Sequence, residues 1–280
     1  MICSVVTRIK CITVTLILLL SSVTTKAQEL IVIDSPVNLK CNDSIFVFTP
    51  KGWSESAPAT PALFLLHGWS GDYRNWNDKA DIQAMSDKYG FVIITPDGFY
   101  NSWYLNNIDK EKMQWRDFFH NELYPQLSEK YNLDPDKTFI TGLSMGGHGA
   151  INIYMDDTTR FKAAGSMSGV LNLHETLLKE TEIPEILGPY TEEAELYTNS
   201  SAISRVTGIA GSKGLLVISC GYDDTYADSS RNFAEECAKH EVPYILMVSP
   251  GNHSWKYWTF ALDQHLFIFS KVANGEELGY

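Results

Sequence analysis

Short apolar runs and amphipathic segments alternate along the chain, and each pattern predicts one kind of element. An apolar run between turn residues predicts a buried strand, whereas apolar residues spaced three and four apart predict a helix. These patterns predict strands over 30–34, 44–48, 62–67, 91–95, 138–141, 161–166, 214–220 and 244–248, and helices over 81–89, 113–131, 145–155, 226–240 and 255–272. Strands that alternate with helices indicate an α/β fold with a mostly parallel central sheet and helices on both faces.

One long segment interrupts this alternation. Residues 171–213 are polar, rich in glutamate and only weakly periodic. A segment of that length between core elements often forms a lid or a wall of a binding site. No other stretch has the composition of a linker, so we predict a single domain over 28–280, in which 171–213 is a lid or insert.

The first 27 residues have the pattern of an export signal. Arg8 and Lys10 precede an apolar run over 11–20, and small residues follow at the positions expected before a cleavage site. A membrane anchor is the alternative interpretation, but this run is shorter than the ~20 residues that span a bilayer. We therefore expect a signal peptide over 1–27, and a periplasmic or secreted protein without a stable membrane anchor after cleavage.

Composition and charge exclude several classes of protein. The 280 residues are 44% hydrophobic, which suits a large core, and their formal charge of −12 argues against nucleic acid as a partner. Cys3 and Cys11 lie in the predicted signal, and the other three cysteines form no C-x-x-C pair that would indicate a zinc site. Asp223, Asp224 and Asp228 lack the spacing of a calcium loop, so we expect no metal and no cofactor.

The segment 142–146, Gly-Leu-Ser-Met-Gly, fits the pattern G-x-S-x-G. A predicted strand precedes it and a predicted helix follows, which is the context in which a sharp turn exposes a nucleophilic serine. A glycine-rich turn with an ordinary surface serine is the alternative. We predict that Ser144 is the nucleophile.

A nucleophilic serine requires a base, and the base requires a carboxylate that orients it. Asp223 and Asp224 directly follow the strand predicted over 214–220, and His253 follows the strand predicted over 244–248. The order serine, acid, histidine is one of those in which such triads occur. We predict His253 as the base and Asp224 as the acid, with Asp223 bracing the loop.

The chemistry also requires donors for an oxyanion. We predict the backbone N–H of Met145, directly after the nucleophile, and that of Trp69, in the glycine-rich loop after the strand over 62–67. His67 is expected to hydrogen-bond within that loop. Trp103, Tyr104 and Trp255 are candidates for contact with a sugar or phenolic ring, although for the first two a packing role is equally compatible with the sequence.

Four motifs together resemble the esterase D-like α/β-hydrolases, the putative-esterase family; they lie over 65–68, 142–149, 220–224 and 251–255. That family includes feruloyl and acetylxylan esterases of carbohydrate esterase family 1, S-formylglutathione hydrolases and mycolyltransferases. The resemblance implies an α/β-hydrolase fold, a triad of Ser144, Asp224 and His253, and oxyanion donors at Trp69 and Met145. It implies a serine carboxylic-ester hydrolase that works through an acyl-enzyme.

Departures from the family pattern narrow the range of substrates and cellular locations that we expect. S-formylglutathione hydrolases carry Thr-Cys where this chain has Trp69-Ser70, and they are cytosolic; mycolyltransferases use a glutamate in the acid loop. We therefore expect an exported esterase that removes feruloyl or acetyl groups from plant polysaccharide or oligosaccharides. The alternatives are an S-formylglutathione hydrolase-like thioesterase, an acyltransferase, and a non-catalytic glycan-binding protein on the same fold.

Overall fold

The computed structural model describes residues 28–278, so the predicted signal peptide over 1–27 lies outside the described residues. Eight strands form one sheet in the order β1-β2-β4-β3-β5-β6-β7-β8. Their bounds are Gln28–Ser35 (β1), Cys41–Phe48 (β2), Thr60–Leu66 (β3), Val92–Pro96 (β4), Leu133–Gly142 (β5), Ala163–Met167 (β6), Leu215–Gly221 (β7) and Tyr244–Ser249 (β8). β1 and β2 pair antiparallel with their neighbours and the other pairs are parallel, which confirms the predicted α/β fold.

Helices connect the strands at most of the predicted positions. The α-helices are Asn75–Lys79 (α1), Ile82–Tyr89 (α2), Trp115–Phe118 (α3), Tyr124–Lys130 (α4), Met145–Asp156 (α5), Pro184–Leu187 (α6), Glu195–Ser200 (α7), Ala227–Lys239 (α8) and Trp255–Ala273 (α9). A π-helical turn over Phe119–Leu123 joins α3 to α4, so the helix predicted over 113–131 is one helical segment with a widened middle. Within residues 28–278, no helix combines the length and apolarity that crossing a membrane requires.

Alternate side chains of the central strands enter two separate cores. In β3, Phe64 and Leu66 pack into one core with residues of α4, α5 and α8, whereas Leu63 and Leu65 pack into the other with residues of α2 and α9. Because strand side chains alternate between faces, a continuous apolar run is what a strand covered on both faces requires. The sheet therefore holds the ends of its parallel strands rigidly.

The insert over 171–213 is firmly packed. It contains α6, α7 and two 3₁₀ helices, over Leu177–Glu180 and Ala202–Ile209. Its acidic side chains face solvent, while Leu173, Tyr197 and Val206 are fully buried in the core on the α5 side of the sheet. The short helices explain its weak periodicity, because none of them is long enough to repeat an apolar stripe.

Candidate active site

Ser144 sits at a sharp turn between the end of β5 and the start of α5. Its backbone has φ of 52° and ψ of −116°, a conformation that non-glycine residues rarely adopt and that functional sites often contain. The Ser144 N–H donates to the Met167 carbonyl at 2.9 Å, and the Leu143 N–H donates to the Leu66 carbonyl at 3.2 Å. Bonds to the ends of two neighbouring strands thus hold the serine in its strained position.

The residues that flank this turn must be small. A Cβ atom on Gly146 would lie 2.4 Å from the carbonyl oxygen of His67, and one on Gly142 would lie 2.5 Å from the backbone of Gly146. In both cases the obstructing atom is backbone, which cannot move without displacing β3 or α5. The two glycines of the G-x-S-x-G pattern are therefore required by the approach of the turn to the neighbouring strand.

We expect Gly146→Ala to lower the free energy of unfolding by about 3 kcal/mol, the upper part of the range for overpacked cores. Gly208→Ala is the matched control, because a Cβ at exposed Gly208 meets nothing within 4 Å; its effect should stay within about 0.5 kcal/mol. Urea unfolding of both variants measures the difference. Equal stability of the two variants would contradict the packing account of the motif.

The structure brings Ser144, His253 and Asp224 together in hydrogen-bonding order. His253 Nε2 lies 3.0 Å from Ser144 Oγ, and His253 Nδ1 lies 3.0 Å and 3.3 Å from the two carboxylate oxygens of Asp224. Asp224 follows the end of β7 and His253 follows the end of β8, so three strand ends supply the three side chains. In this geometry the histidine can take the serine proton while the carboxylate orients the ring.

The Asp224 carboxylate is buried and remains suited to carry a negative charge. Burial raises its pKa, but hydrogen bonds from His253, from the Ser168 hydroxyl and from the Tyr226 N–H together lower the pKa below its usual value. Ser168 also accepts the indole N–H of Trp258 at 3.1 Å. Asp223 is exposed and its backbone N–H donates to the Gly251 carbonyl at 2.9 Å, whereas Asp224 is the carboxylate that contacts the histidine.

Two backbone N–H groups are available for an oxyanion. Among residues 28–278, neither the N–H of Met145 nor that of Trp69 donates a hydrogen bond to another residue. Met145 is the first residue of α5, where the helix dipole favours negative charge. A Cβ on Gly68 would lie 3.5 Å from that of Ser144, so the loop carrying Trp69 passes directly over Ser144.

A hydrogen-bond network beneath this loop fixes its position. The Gly98 N–H donates to His67 Nε2 at 2.7 Å, so the proton of the ring is on Nδ1, which donates to the Gly68 carbonyl at 2.8 Å. The Tyr104 hydroxyl donates to the His67 carbonyl at 2.8 Å. His67 and Tyr104 therefore position the loop that carries the Trp69 N–H.

The expectation that Trp103 and Tyr104 contact substrate is wrong. Trp103 is 1% exposed and Tyr104 is 0% exposed, and neither lines the cavity that contains Ser144. Both have positive φ, which turns the chain back so that the rings pack over the sheet. Trp255, in contrast, lines the cavity and stays a candidate for substrate contact.

We expect Tyr104→Phe to lower kcat about three- to tenfold with a smaller change in KM, because the loss of a hydrogen bond of about 1 kcal/mol loosens the loop that carries the Trp69 N–H. Tyr131→Phe is the matched control. The Tyr131 ring is also buried and its hydroxyl donates to the Glu29 carboxylate, but the residue lies just before β5, at the opposite edge of the sheet. Steady-state kinetics and thermal unfolding of both variants separate the roles. An equal loss of stability with equal kcat in the two variants would reduce Tyr104 to a purely structural residue.

The cavity around Ser144 has a volume of about 630 Å³ and an aromatic, uncharged lining. Trp69, Trp255, Trp258 and Tyr226 contribute rings, and the insert contributes Leu177 and Leu178. Among residues 28–278, no lysine or arginine lines this cavity. The insert thus forms part of the wall of the site.

Sequence reasoning missed several of these neighbours. The rings of Trp258 and Tyr226 pack edge-on against His253, with centroids 4.9 Å and 5.1 Å away. Trp258 has the spacing of a core residue in α9. Its position five residues after His253 in the sequence was the only signal that it contacts the histidine. Ser168 follows the end of β6, and that position at the carboxyl edge of the sheet was a usable signal.

Within residues 28–278, no three acidic, histidine or cysteine side chains are grouped to hold a metal ion.

A serine on a strained strand–helix turn, next to a histidine with a buried carboxylate behind it, is characteristic of serine hydrolases with the α/β-hydrolase fold. The known proteins to which the chain is similar are hydrolases of the same kind, and the protein is a carboxylic ester hydrolase of this class. Residues 37–268 match the Esterase family, described as Putative esterase, and the chain belongs to that family.

Relatives within this family differ in their substrates. The chain is 26% identical over 251 residues to S-formylglutathione hydrolase from Arabidopsis thaliana, covering 81% of this chain and 87% of the relative. It is 25% identical over 225 residues to an acetyl esterase from Caldicellulosiruptor saccharolyticus, covering 76% and 84%. A solved structure of a ferulic acid esterase superposes with a TM-score of 0.73 at 24% identity, covering 88% of this chain and 98% of that structure, which shows the common fold.

Proposed function

We propose that the protein removes feruloyl or acetyl groups from plant polysaccharide or its oligosaccharides through an acyl-enzyme. The observation that carries this proposal is the aromatic lining of the cavity: tryptophan and tyrosine rings surround Ser144, and no lysine or arginine of the described residues lines it. Such a wall suits a neutral phenolic acyl group or the apolar face of a neutral sugar. The acetyl esterase and ferulic acid esterase among the similar proteins act on esters of these kinds by name.

The proposed reaction follows from the positions of the three side chains. Ser144 Oγ attacks the acyl carbon as His253 Nε2 takes its proton, and the Met145 and Trp69 N–H groups stabilise the oxyanion. His253 then returns the proton to the departing sugar oxygen, which leaves the acyl group on Ser144. Water, activated by the same histidine, releases the acid and restores the serine.

S-formylglutathione hydrolysis is the second candidate, favoured by relatives of that name that match more than four fifths of the chain. The glutathione leaving group carries two carboxylates, which a site normally binds with cationic side chains. In the part of the chain that the structure describes, no lysine or arginine lines the cavity. The insert that contributes to its wall also carries the carboxylates of Glu182 and Glu185, which accept hydrogen bonds from Asn101. These features favour a neutral substrate.

We further propose that the protein is exported and acts outside the cytoplasm. The basic and apolar pattern over 1–27 supports this localisation, and polymeric plant glycans are substrates that a cell meets outside. Fractionation of the producing cells, followed by N-terminal sequencing, is the test. A mature protein that begins at Gln28 outside the cytoplasm is expected, whereas retention of Met1 in the cytoplasm would refute export.

Substrate choice can be tested by comparing kcat/KM for methyl ferulate, acetylated xylo-oligosaccharides and S-formylglutathione. We expect the better of the first two to exceed S-formylglutathione at least tenfold. Leu177→Lys, which adds a cation to the cavity wall, should raise the relative rate on S-formylglutathione about threefold, a typical effect of an exposed charge pair. Leu196→Lys, also exposed in the insert but outside the cavity lining, is the control. Preference of the wild type for S-formylglutathione would overturn the proposal.

A further inference from the structure

A second cavity of about 440 Å³ lies beside the catalytic one, between the loop after β4 and helix α6 of the insert. We call it the distal cavity and define it by Phe99, Asn101, Ser102, Lys112, Glu185 and Ile186, which line it. Its volume lies within the ~300–1,000 Å³ of small-molecule sites. None of the triad residues or predicted oxyanion donors lines it.

The distal cavity adjoins the catalytic cavity through Tyr100. The Tyr100 ring packs edge-on against Trp69, which lines the catalytic cavity, with centroids 5.1 Å apart. The Tyr100 carbonyl accepts the N–H of Ser70, another lining residue of the catalytic cavity, at 2.7 Å. Its chain neighbours Phe99 and Asn101 line the distal cavity. Tyr100 is 57% exposed, so its ring is accessible to a ligand that extends from one cavity to the other.

The distal cavity combines apolar surface with hydrogen-bonding groups of both kinds. Phe99 and Ile186 give apolar surface, against which the C–H face of a sugar ring can pack. The Lys112 ammonium has no ion-pair or hydrogen-bond partner among the described residues, so it is free to donate. The Glu185 carboxylate, which receives one bond from the Asn101 amide at 3.2 Å, retains acceptor capacity. A lining that combines a donor, an acceptor and apolar side chains suits a polyhydroxylated ring.

The loop that separates the two cavities is held in a strained conformation. Phe99 has φ of 54° and Ser70, bonded to the next residue, has φ of 61°. The Phe99 N–H donates to the Asp97 carboxylate at 2.7 Å, which together with the Ser70–Tyr100 bond fixes the loop. Strain of this kind, of the order of 1 kcal/mol or more per residue, persists where surrounding bonds enforce it and clusters at binding sites.

From these observations we propose that the distal cavity binds a sugar ring of the glycan whose ester group is cleaved at Ser144, with Tyr100 as the stacking platform between the two cavities. The inference rests on the proposed function, because it assigns the leaving group of that reaction to a second binding site. It predicts that the protein distinguishes an oligosaccharide ester from a simple alkyl ester of the same acid by contacts remote from the triad.

The test compares kcat/KM for a feruloylated or acetylated xylotetraose with that for the methyl ester of the same acid. Tyr100→Ala and Lys112→Met should each lower this ratio about five- to tenfold, mainly through KM on the oligosaccharide. Phe267→Ala is the matched control, since this ring is 51% exposed on α9 and lines neither cavity. Taking the ratio removes any general effect of a variant on the triad.

The outcomes separate the two proposals. A ratio that both distal variants leave unchanged, in a protein that hydrolyses the oligosaccharide ester, overturns the distal site and leaves the proposed function standing. If the wild type hydrolyses no carbohydrate ester, the proposed function fails, and the distal site is then tested by titrating xylotetraose into Ser144→Ala protein. Binding that Tyr100→Ala and Lys112→Met weaken but Phe267→Ala does not supports the site, and absence of binding refutes it.

Discussion

Replacement of Ser144 by alanine is expected to lower kcat on a simple ester by on the order of 10⁵- to 10⁶-fold. The variant retains His253, Asp224 and the oxyanion donors but has no nucleophile, so what remains is the catalysis that binding and the oxyanion hole supply by themselves. KM should change little, because the hydroxyl contributes to the transition state more than to binding. Hydrolysis of 4-nitrophenyl acetate and methyl ferulate by the wild type and the variant measures the loss.

The variant should stay folded, which makes the result easy to interpret. Alanine fits the turn as well as serine does, since the strained backbone is held by the bonds of the Ser144 and Leu143 N–H groups and not by the hydroxyl. Thermal unfolding within a few degrees of the wild type checks this point. Turnover by a folded Ser144→Ala protein near the wild-type rate would remove Ser144 from the mechanism.

The second large effect is expected from Asp224→Asn, with a loss of kcat of about 10³- to 10⁴-fold. The substitution presents a neutral amide to His253. The amide does not stabilise the imidazolium that forms during the reaction, and it permits the wrong tautomer of the histidine. Asp223→Asn is the matched control, because Asp223 is the adjacent carboxylate, is exposed and contacts the Gly251 carbonyl through its backbone alone. We expect this control to retain kcat within about twofold, as is usual for surface substitutions.

The comparison of the two aspartates tests the prediction that Asp224, and not the adjacent Asp223, is the acid. If Asp223→Asn lost as much activity as Asp224→Asn, the loop as a whole would be needed and the geometry of the His253–Asp224 pair would not explain catalysis. If only Asp223→Asn lost activity, the assignment of the acid would be wrong.

The fold and the central residues of the site could be predicted because their signals are local. A strand that is buried on both faces is continuously apolar, and the turn around Ser144 needs glycines at fixed distances from the serine. Asp224 and His253 follow apolar runs directly, and parallel strands bring such positions to one edge of the sheet. At these positions the sequence pattern of a short segment is enough to predict where the residue lies in the fold.

Other features depend on contacts between distant segments. β5 begins at Leu133, earlier than the strand predicted over 138–141, because Leu133 pairs with Thr60 of β3 ahead of a register shift, while residues 134–137 between the paired positions are polar or proline. Trp103 and Tyr104 follow a strand end as site residues do, but their positive φ turns them into the core. Leu177 lines the cavity only because the insert folds back over the sheet. No periodicity within a short window encodes these contacts.

The central claim is that Ser144 forms the acyl-enzyme of an ester hydrolase, and covalent labelling tests it most directly. The wild-type protein, treated with a fluorophosphonate and digested, should yield one modified peptide with the label on Ser144, and labelling should disappear in Ser144→Ala. Prior incubation with a slowly hydrolysed phenolic ester should protect the same residue. A protein that hydrolyses esters while the label is found on another residue, or on none, would contradict the account.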